Sequence, residues 1–508
     1  MEINDLTPAE RRIWDAFPRG ERVDFRSHPG EDASDAADGH AWGPERTVRA
    51  EVLTHLLLNG SSARGLVAGL NVRGVRITGK LNLKYAVVEH AIRLRGCWFE
   101  RKPLIYGAQL RALVLTDSTL PGLTATSVTI DVALRMPCCR ISGPVRLAGA
   151  RIAGGLFLQQ AVIGTPSGAA GAAAAGEEAP PRVAAGEEAP LQVNHADIGT
   201  DVIAFGLTVH GQTRLNGATV GGQVNLDDAR LLAPGSTALH AENLSVGTDL
   251  RALRMEAHGR VNLTGSRIPG QLHFGYARFL NPGGVALRAS SCVIGEVWLR
   301  SCETVQGAVN LRRSQFDILH MPSETWPDRI RIDGLTYRTL APHLPAEQRL
   351  PALERAEPGY LPYAYEQLAA AYRTAGDEAA ARTVQLAKLR RHRRTLPRHA
   401  RLWGKLQDVT VGYGFRPLRA VGWLLALLLT GTVAYTARPP RPLKAGEAPD
   451  FNPVFYTIDL LVPIISFGQE SAYAPSGWYQ WLSYTLIVTG WILATTTAAG
   501  VSRSLQRQ

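Results

Sequence analysis

The sequence predicts a mainly β protein built around a right-handed parallel β-helix, a solenoid with about 22 residues per coil. Three observations lead to this fold class. Apolar and polar residues alternate in short runs, as in a β-strand with one buried face. Small residues follow these runs, which is typical of tight corners, and the whole pattern returns after 11 or 21 residues. One such unit cannot bury its own apolar edge, so stacked copies are required, and right-handed crossovers are the rule for parallel strands.

The repeated units extend from about residue 66 to residue 335, with one interruption. Two adjacent units coincide after a shift of eleven positions: Val145, Leu147, Ala150 and Ile152, followed by Leu156, Leu158, Ala161 and Ile163. About eleven coils at roughly 4.8 Å each would make a rod about 50 Å long. The pattern resembles the pentapeptide-repeat and other right-handed β-helix families, without their strict five-residue spacing.

A helical cap is predicted before the first coil. Thr7, Pro8 and Glu10 form a capping box with proline at the first helical position. A second helix is expected to begin at Gly43-Pro44 and to end at Asn59-Gly60. A solenoid needs such a cap because its terminal coil would otherwise expose apolar surface and unpaired strand edges.

The five cysteines fit the repeat. Four of them occupy its small-residue position, so we expect them to be small buried apolar side chains and not redox groups. These four are Cys97, Cys139, Cys292 and Cys302, and the fifth is Cys138.

Changes in composition divide the chain into nine segments. Residues 164–192 contain AAGEEAP twice and are predicted to be a disordered insertion. The predicted segments are an N-terminal helical cap at 1–65, the first half of the solenoid at 66–163, the insertion at 164–192, the second half at 193–335, a helical hairpin with a basic collar at 336–417, a transmembrane helix at 418–437, an outer loop at 438–478, a transmembrane helix at 479–500 and a cytoplasmic tail at 501–508.

The net charge of +11 is unevenly distributed. Residues 66–163 carry 13 basic and 4 acidic side chains, whereas residues 193–335 carry 13 of each. The first half of the solenoid is therefore predicted to present an arginine-rich side surface to an acidic protein partner of unknown identity. Nucleic acid is not predicted as a ligand because few aromatic residues are interleaved with the basic ones.

The segment before the first predicted span is strongly basic and is expected to bind anionic lipid of the inner leaflet. A hairpin resembling one tetratricopeptide-type unit precedes it and is interpreted as a spacer or docking pair. The membrane-surface residues are predicted to be Arg390, Arg391, Arg393, Arg394, Arg398, Arg401 and Lys405.

Segments 418–437 and 479–500 are each long enough and apolar enough to be predicted as transmembrane helices. Basic residues flank them on the side of the termini, so both termini and the solenoid are expected in the cytoplasm, at a bacterial plasma membrane. Small residues at Gly490, Ala494 and Ala498 would let these helices pack into a homo-oligomer.

The loop between the two segments contains a shorter apolar stretch, residues 454–467. Asp459 and Pro463 lie within it, so a re-entrant or interfacial segment is expected in place of a third span. The plan of span, re-entrant segment and span is similar to that of two-span ion channels. In that interpretation Gly468 belongs to a filter-like turn and Glu470 lies at the outer mouth.

No catalytic motif is apparent, and no cofactor or metal ion is expected. Asp227 and Asp228 resemble the paired acids of β-helix polysaccharide lyases, but they are better explained as a solvated corner. His210, His258 and His273 are expected to point outward without a common column, which disfavours a metal site.

Several stretches together resemble a bacterial family of membrane-anchored repeat proteins whose members are often named membrane-associated oxidoreductases. These are WGPERTVRAEVLTHLLL, the eleven-residue repeats, VGYGFRPLRA, FYTIDLLVPIISFGQE and the final apolar segment. Three hypotheses follow. The leading one is a membrane-anchored scaffold or signalling protein that presents the solenoid surface. The others are a channel-like module coupled to the solenoid, and the oxidoreductase that the family name implies.

Overall fold

A computed structural model of the chain describes residues 5–26, 33–166, 188–299, 304–322, 327, 329–356, 359–397, 401, 417–444, 448–462 and 466–505. The chain forms two compact units, Met1–Gln367 and Leu368–Gln508. Most residues of the insertion that is predicted to be disordered lie outside these ranges.

The first unit is a parallel β-solenoid of about 11 turns, so this part of the predicted fold class is confirmed. Equivalent residues pair one coil apart, as Leu134 does with Leu156 and Leu123 with Val145, which confirms the predicted coil length. In the next coil Val145 pairs with Leu191, so the stacking resumes beyond the insertion without loss of register.

Two sheets form the walls of the solenoid. The strands of the first sheet are Val23–Asp24, Gly69–Arg73, Val87–Val88, Ala91–Arg95, Gln109–Leu110, Leu113–Val114, Thr129–Ile130, Leu134–Arg135, Arg151–Ile152, Leu156–Phe157, Asp197–Ile198, Val202–Ile203, Thr219–Val220, Val224–Asn225, Ser245–Val246, Leu250–Arg251, Arg267–His273, Val293–Trp298, Gln315–His320 and Thr336–Ala341. Those of the second sheet are Thr47–Arg49, Arg76–Thr78, Trp98–Phe99, Thr119–Leu120, Leu123–Thr124, Arg140–Ile141, Val145–Arg146, Val162–Ile163, Leu191–Gln192, Thr208–His210, Thr213–Arg214, Arg230–His240, Glu256–Asn262, Arg278–Arg288, Thr304–Asn310 and Ile330–Arg331.

Left-handed residues turn the chain at the corners between the short strands. Asp117, Cys138 and Gln160 occupy equivalent corners in successive coils, with φ angles of 56°, 55° and 54°. Their backbone N–H groups donate to carbonyl oxygens of the next coil, for example Asp117 to Pro137 at 3.0 Å. The corners therefore continue the hydrogen-bond ladder and leave few backbone groups unsatisfied.

The cysteines at small-residue positions are buried fillers, as predicted. Cys97, Cys139 and Cys292 have no exposed surface. Burial raises the pKa of Cys97 and of Cys139 to about 12 and that of Cys292 to about 11, so these thiols stay protonated at neutral pH. Cys138 is half-buried at its corner, and Cys302 lies outside the described residues.

The N-terminal cap follows the prediction in its first helix and departs from it in the second. Helix α1, Pro8–Ala16, begins with the predicted reciprocal bonds between Thr7 and Glu10. Helix α2 is Ala50–Asn59, because Thr47–Arg49 is a strand that pairs with Arg76–Thr78 of the first coil. A single 3₁₀ turn, Pro44–Arg46, begins at the predicted position, but the strand separates it from α2, so the prediction of one continuous helix is wrong. The strand extends the second sheet and satisfies backbone groups at the sheet edge.

An ion pair between the buried Glu10 and the partly exposed Arg49 joins the two parts of this cap. The side chain of Glu10 is fully buried, and its carboxylate accepts two hydrogen bonds from the Arg49 guanidinium, at 2.7 and 2.8 Å. Burial alone would raise the pKa of Glu10, but the bonds from Arg49 and Thr7 together lower it from 4.5 to about 2.

We expect this pair to make the stability of the solenoid depend on pH. A folded-state pKa below the unfolded one stabilises the fold above about pH 4.5, by about 3 kcal/mol, and that contribution is lost as the pH falls toward 2. Urea unfolding of the wild type and of Glu10→Gln between pH 3 and 7 measures it. The difference between the two proteins should shrink as the pH falls, and a constant difference would contradict the assignment.

A C-terminal cap, not predicted from the sequence, covers the last coil. Helix α3, Ala346–Glu354, carries Arg349, which is 2% exposed. Its guanidinium donates to the carbonyl oxygens of Met321 and Pro342, at the ends of the last two strands of the first sheet. The cap therefore supplies hydrogen-bond donors to backbone carbonyl groups at the end of the sheet, where the stack of coils stops.

The remaining elements are mostly helices. They are α4 at Pro362–Thr374, α5 at Glu378–Thr395, α6 at Pro417–Ala437, α7 at Pro453–Leu461, α8 at Gln469–Ala472 and α9 at Trp478–Leu505, with two short antiparallel strands at Arg441–Pro442 and Tyr473–Ala474. Helices α4 and α5 form the predicted hairpin, with Asp377 capping α5 through a bond from the Ala380 N–H. The boundary between the two units falls within α4.

The prediction of two transmembrane helices is wrong. Segments 418–437 and 479–500 are helical, but across the part of the chain that the structure describes no helix is both long and apolar enough to cross a membrane. Side-chain hydroxyl groups occur along both segments, and some of them bond within the unit. The Tyr435 hydroxyl, for example, bonds to that of Ser483 at 2.9 Å.

Candidate functional site

A groove on the first sheet collects arginine side chains from the first half of the solenoid. Three strands supply them: Gly69–Arg73, Ala91–Arg95 and Leu134–Arg135. Along each strand alternate residues point outward, while Leu94 and Leu134 between them are fully buried in the core. The groove has a volume of about 520 Å³ and is lined by Arg73, Arg93, Arg95, Ala112, Val114, Thr116, Asp117, Val132, Ala133, Arg135 and Pro137.

The register of the sheet brings these arginines together. Arg73 pairs directly with Arg95, and Arg93 pairs with Val114, which in turn pairs with Arg135. Paired residues of adjacent parallel strands lie about 4.8 Å apart. Arginines far apart in sequence thus form one cationic surface, with Val114 as its largely buried floor.

The groove contains a single acidic lining residue, Asp117. Burial raises the pKa of its carboxyl group, and the charges of Arg73 and Arg95 offset this only in part. Arg73 also lies near Asp24, but that carboxylate already forms an ion pair with Arg26 at 2.9 Å. Four guanidinium groups therefore face one carboxyl group.

The arginines of the groove differ from several arginines of the second half of the solenoid. Within the described residues no ion pair is formed by Arg73, Arg93, Arg95 or Arg135. Four arginines of the second half pair with acids of neighbouring coils: Arg251 with Asp227, Arg254 with Asp228, Arg278 with Glu256 and Arg312 with Asp333. The excess positive charge of the first half is thus concentrated in the groove as guanidinium groups without an ion-pair partner.

One contact fixes the far edge of the groove. The guanidinium of Arg135 lies 4.2 Å from the ring centroid of Phe157, its partner in the next coil. A cation–π contact of this kind orients the guanidinium without neutralising its charge.

The residues predicted to bind a membrane surface belong to the second unit and not to this groove. Arg390, Arg391, Arg393 and Arg394 lie on α5. Arg401 donates from Nε to the Leu396 carbonyl oxygen at 2.6 Å, and Arg398 and Lys405 lie outside the described residues.

The residues of the predicted re-entrant segment form a closed turn in the second unit. The buried carboxylate of Asp459 accepts from the backbone N–H groups of Phe467, Gln469 and Glu470 at 2.6, 2.8 and 3.3 Å. Gly468 adopts a left-handed φ of 79° within this turn, and Pro463 lies outside the described residues. The structure thus brings Asp459, Gly468 and Glu470 together, with Asp459 tying the turn to α7.

The predicted acids and histidines lie on the solenoid walls. Asp227 and Asp228 pair with the arginines of the next coil, as a solvated corner would. His210 and His258 lie in one column of the second sheet with Leu232 between them, whereas His273 lies on the first sheet, so the three histidines share no common column, as expected. Across the ranges that the structure describes, no group of three histidine, cysteine, aspartate or glutamate residues could hold a metal ion.

His273 belongs to a ring stack that the sequence did not predict. The ring of Trp298 lies between the imidazoles of His273 and His320, which belong to the two neighbouring strands. Both imidazoles are nearly parallel to it, with centroid distances of 5.4 Å for His273 and 3.7 Å for His320. The in-register columns of the first sheet produce this stack, because His273, Trp298 and His320 occupy equivalent positions in successive coils. The ring faces cover one another, so we interpret this stack as a set of side-chain contacts that stabilise the packing of successive coils.

The arginine groove is the candidate site because its charge is not neutralised by the protein itself. Comparison of the chain with models of protein families, with curated proteins and with solved structures finds no match.

Proposed function

We propose that the protein is a β-solenoid binding scaffold whose arginine groove receives an acidic segment of a protein partner. The observation that carries this proposal is that four guanidinium groups face a single acidic residue in one groove. Guanidinium groups bind carboxylates through two parallel N–H donors, which makes arginine the usual residue for such recognition.

The arrangement in the groove is costly unless an anion is present. Like charges directly opposite each other on neighbouring strands destabilise a sheet, and Arg73 and Arg95 are such a pair. An acidic ligand relieves this repulsion.

The floor of the groove favours a peptide over a bare polyanion. Its apolar residues, Ala112, Val114, Val132 and Ala133, would pack against side chains that alternate with acidic ones. The groove lining contains no aromatic ring on which a base could stack.

Charge reversal in the groove is expected to abolish most of the binding. The probe is a fluorescent peptide with alternating glutamate and leucine residues, measured by fluorescence anisotropy at low and physiological salt. The double variant Arg93→Glu and Arg135→Glu should bind it at least about tenfold more weakly, because two attractions become repulsions. Affinity of the wild type should fall as salt is added.

A matched control keeps the same change of net charge on the same solenoid. Arg140→Glu with Arg151→Glu alters two exposed arginines outside the groove and should change the affinity less than about twofold. Equal losses in both double variants would refute the groove as the site. No binding by the wild type at low salt, or tighter binding of a random oligonucleotide than of the peptide, would refute the proposed function.

A further inference from the structure

We infer that the arginine groove recognises a phosphorylated side chain on its partner, a phosphate monoester dianion held by guanidinium groups of adjacent coils. This inference rests on the proposed function, since it specifies which acidic group the groove selects. Three features of the groove support it: the number of its cations, their spacing and the polar groups beside them.

The charge of the groove exceeds what one carboxylate can balance. Arg73, Arg93, Arg95 and Arg135 contribute four positive charges, and Asp117 contributes at most one negative charge. A phosphorylated residue carries about −1.5 to −2 at neutral pH, whereas glutamate carries only −1. A phosphoryl group therefore neutralises the groove more completely than any genetically encoded side chain.

The spacing of the guanidinium groups suits a tetrahedral anion. Arg73 and Arg95 leave the sheet from paired positions about 4.8 Å apart, so both forks can reach one small group from adjacent coils. A phosphate offers three acceptor oxygens, enough for two bidentate forks, while a carboxylate offers two.

The neighbouring polar groups are compatible with a dianion. Thr116 lines the groove and its hydroxyl can donate to a phosphate oxygen. Asp117 would repel an anion when ionised, but burial already raises its pKa, which makes the neutral, donating form more accessible when a second negative charge arrives. The volume of about 520 Å³ is large enough for a phosphorylated side chain with flanking residues.

Three peptides that differ at one position test the inference. Each has the sequence Glu-Leu-X-Leu-Glu with a fluorescent label, where X is serine, glutamate or phosphoserine. Anisotropy titrations should give phosphoserine at least about a tenfold higher affinity than glutamate, and serine the lowest. Equal affinity of the phosphoserine and glutamate peptides would overturn the inference and leave the proposed function standing. Absence of binding by all three would overturn both.

A conservative variant separates fork recognition from simple charge. Arg95→Lys keeps the positive charge but removes the two-donor fork. It should weaken binding of the phosphoserine peptide much more than binding of the glutamate peptide, and so lose most of the preference for phosphoserine. An unchanged preference in Arg95→Lys would overturn the assignment of Arg95.

Competition with inorganic phosphate distinguishes a free ion from a phosphorylated segment. The groove should release the phosphoserine peptide only at phosphate concentrations at least about a hundredfold above the peptide's dissociation constant, because the peptide also contacts the apolar floor. Displacement at equal concentrations would show that the groove binds free phosphate and would overturn the partner assignment.

Discussion

Replacement of Phe274 by alanine is expected to lower the free energy of unfolding of the solenoid by about 3 to 5 kcal/mol. The ring has no exposed surface and packs edge-on against Phe279 with a centroid distance of 5.2 Å. Truncation removes this contact and leaves a cavity between coils, which the backbone ladders on both sides prevent from collapsing. Urea denaturation followed by circular dichroism measures the change.

A second phenylalanine on the same solenoid provides the control. Phe205 is 41% exposed, so Phe205→Ala should change stability by less than about 1 kcal/mol. Similar losses in the two variants would show that the inward positions of the repeat do not form the core, which would contradict the solenoid packing.

Replacement of Arg349 by alanine is expected to cost about 3 to 4 kcal/mol and to loosen the C-terminal end of the solenoid first. The guanidinium is 2% exposed and donates to the carbonyl oxygens of Met321 and Pro342. Without it, the buried carbonyl of Met321 and the carbonyl of the exposed Pro342 both lose a charged donor, and α3 loses its bonds to the ends of these strands. Hydrogen exchange should accelerate in Gln315–His320 and Thr336–Ala341 before it does in the central coils.

Arg338 supplies the comparison, because it lies on the last strand with a side chain that is 74% exposed. Its contact with Asp317 is a surface ion pair, so Arg338→Ala should stay within about 0.5 kcal/mol of the wild type. Uniform acceleration of exchange along the whole solenoid in Arg349→Ala would argue against a capping role.

The sequence was sufficient for the solenoid itself, because its core positions repeat. Leu134 and Leu156 occupy the same position of successive coils, and their pairing follows from the repeat length. Cys97 and Cys139 stand where the repeat places a small residue, so their burial could also be predicted. The capping box of Thr7 and Glu10 is a local signal that needs no knowledge of the fold.

The groove and the C-terminal cap could be predicted only in part. The excess of basic residues in 66–163 indicated an arginine-rich face, and Arg73 and Arg95 lie one predicted coil length apart, but the groove that they form with Arg135 is visible only in the structure. Arg349 is one of three charged residues on a short helix, and no periodic pattern distinguishes it from exposed arginines. The ring stack of His273, Trp298 and His320 was missed because its members are about one coil apart.

The two transmembrane helices were predicted from average hydropathy, which does not show where polar side chains find partners. Tyr435 and Ser483 belong to different helices and bond to each other, and Thr457 on α7 is fully buried. The apolar residues Tyr456, Leu460 and Leu461 on α7 pack in the same cluster as Tyr435. These contacts give the second unit a small core, whereas Leu425, Leu429 and Val488 of the two segments are more than half exposed.

The pairing of Val145 with Leu191 across the insertion indicates where the solenoid can accept additional sequence. Val145–Arg146 and Leu191–Gln192 are neighbours in the second sheet, although more residues separate them in sequence than separate other neighbouring strands. The register of the strands is nevertheless preserved. Since the entropy cost of closing a loop rises only with the logarithm of its length, extra sequence at this seam costs little. A folded reporter or enzyme grafted between Ile163 and Leu191 would thus be carried by the solenoid without displacing any coil.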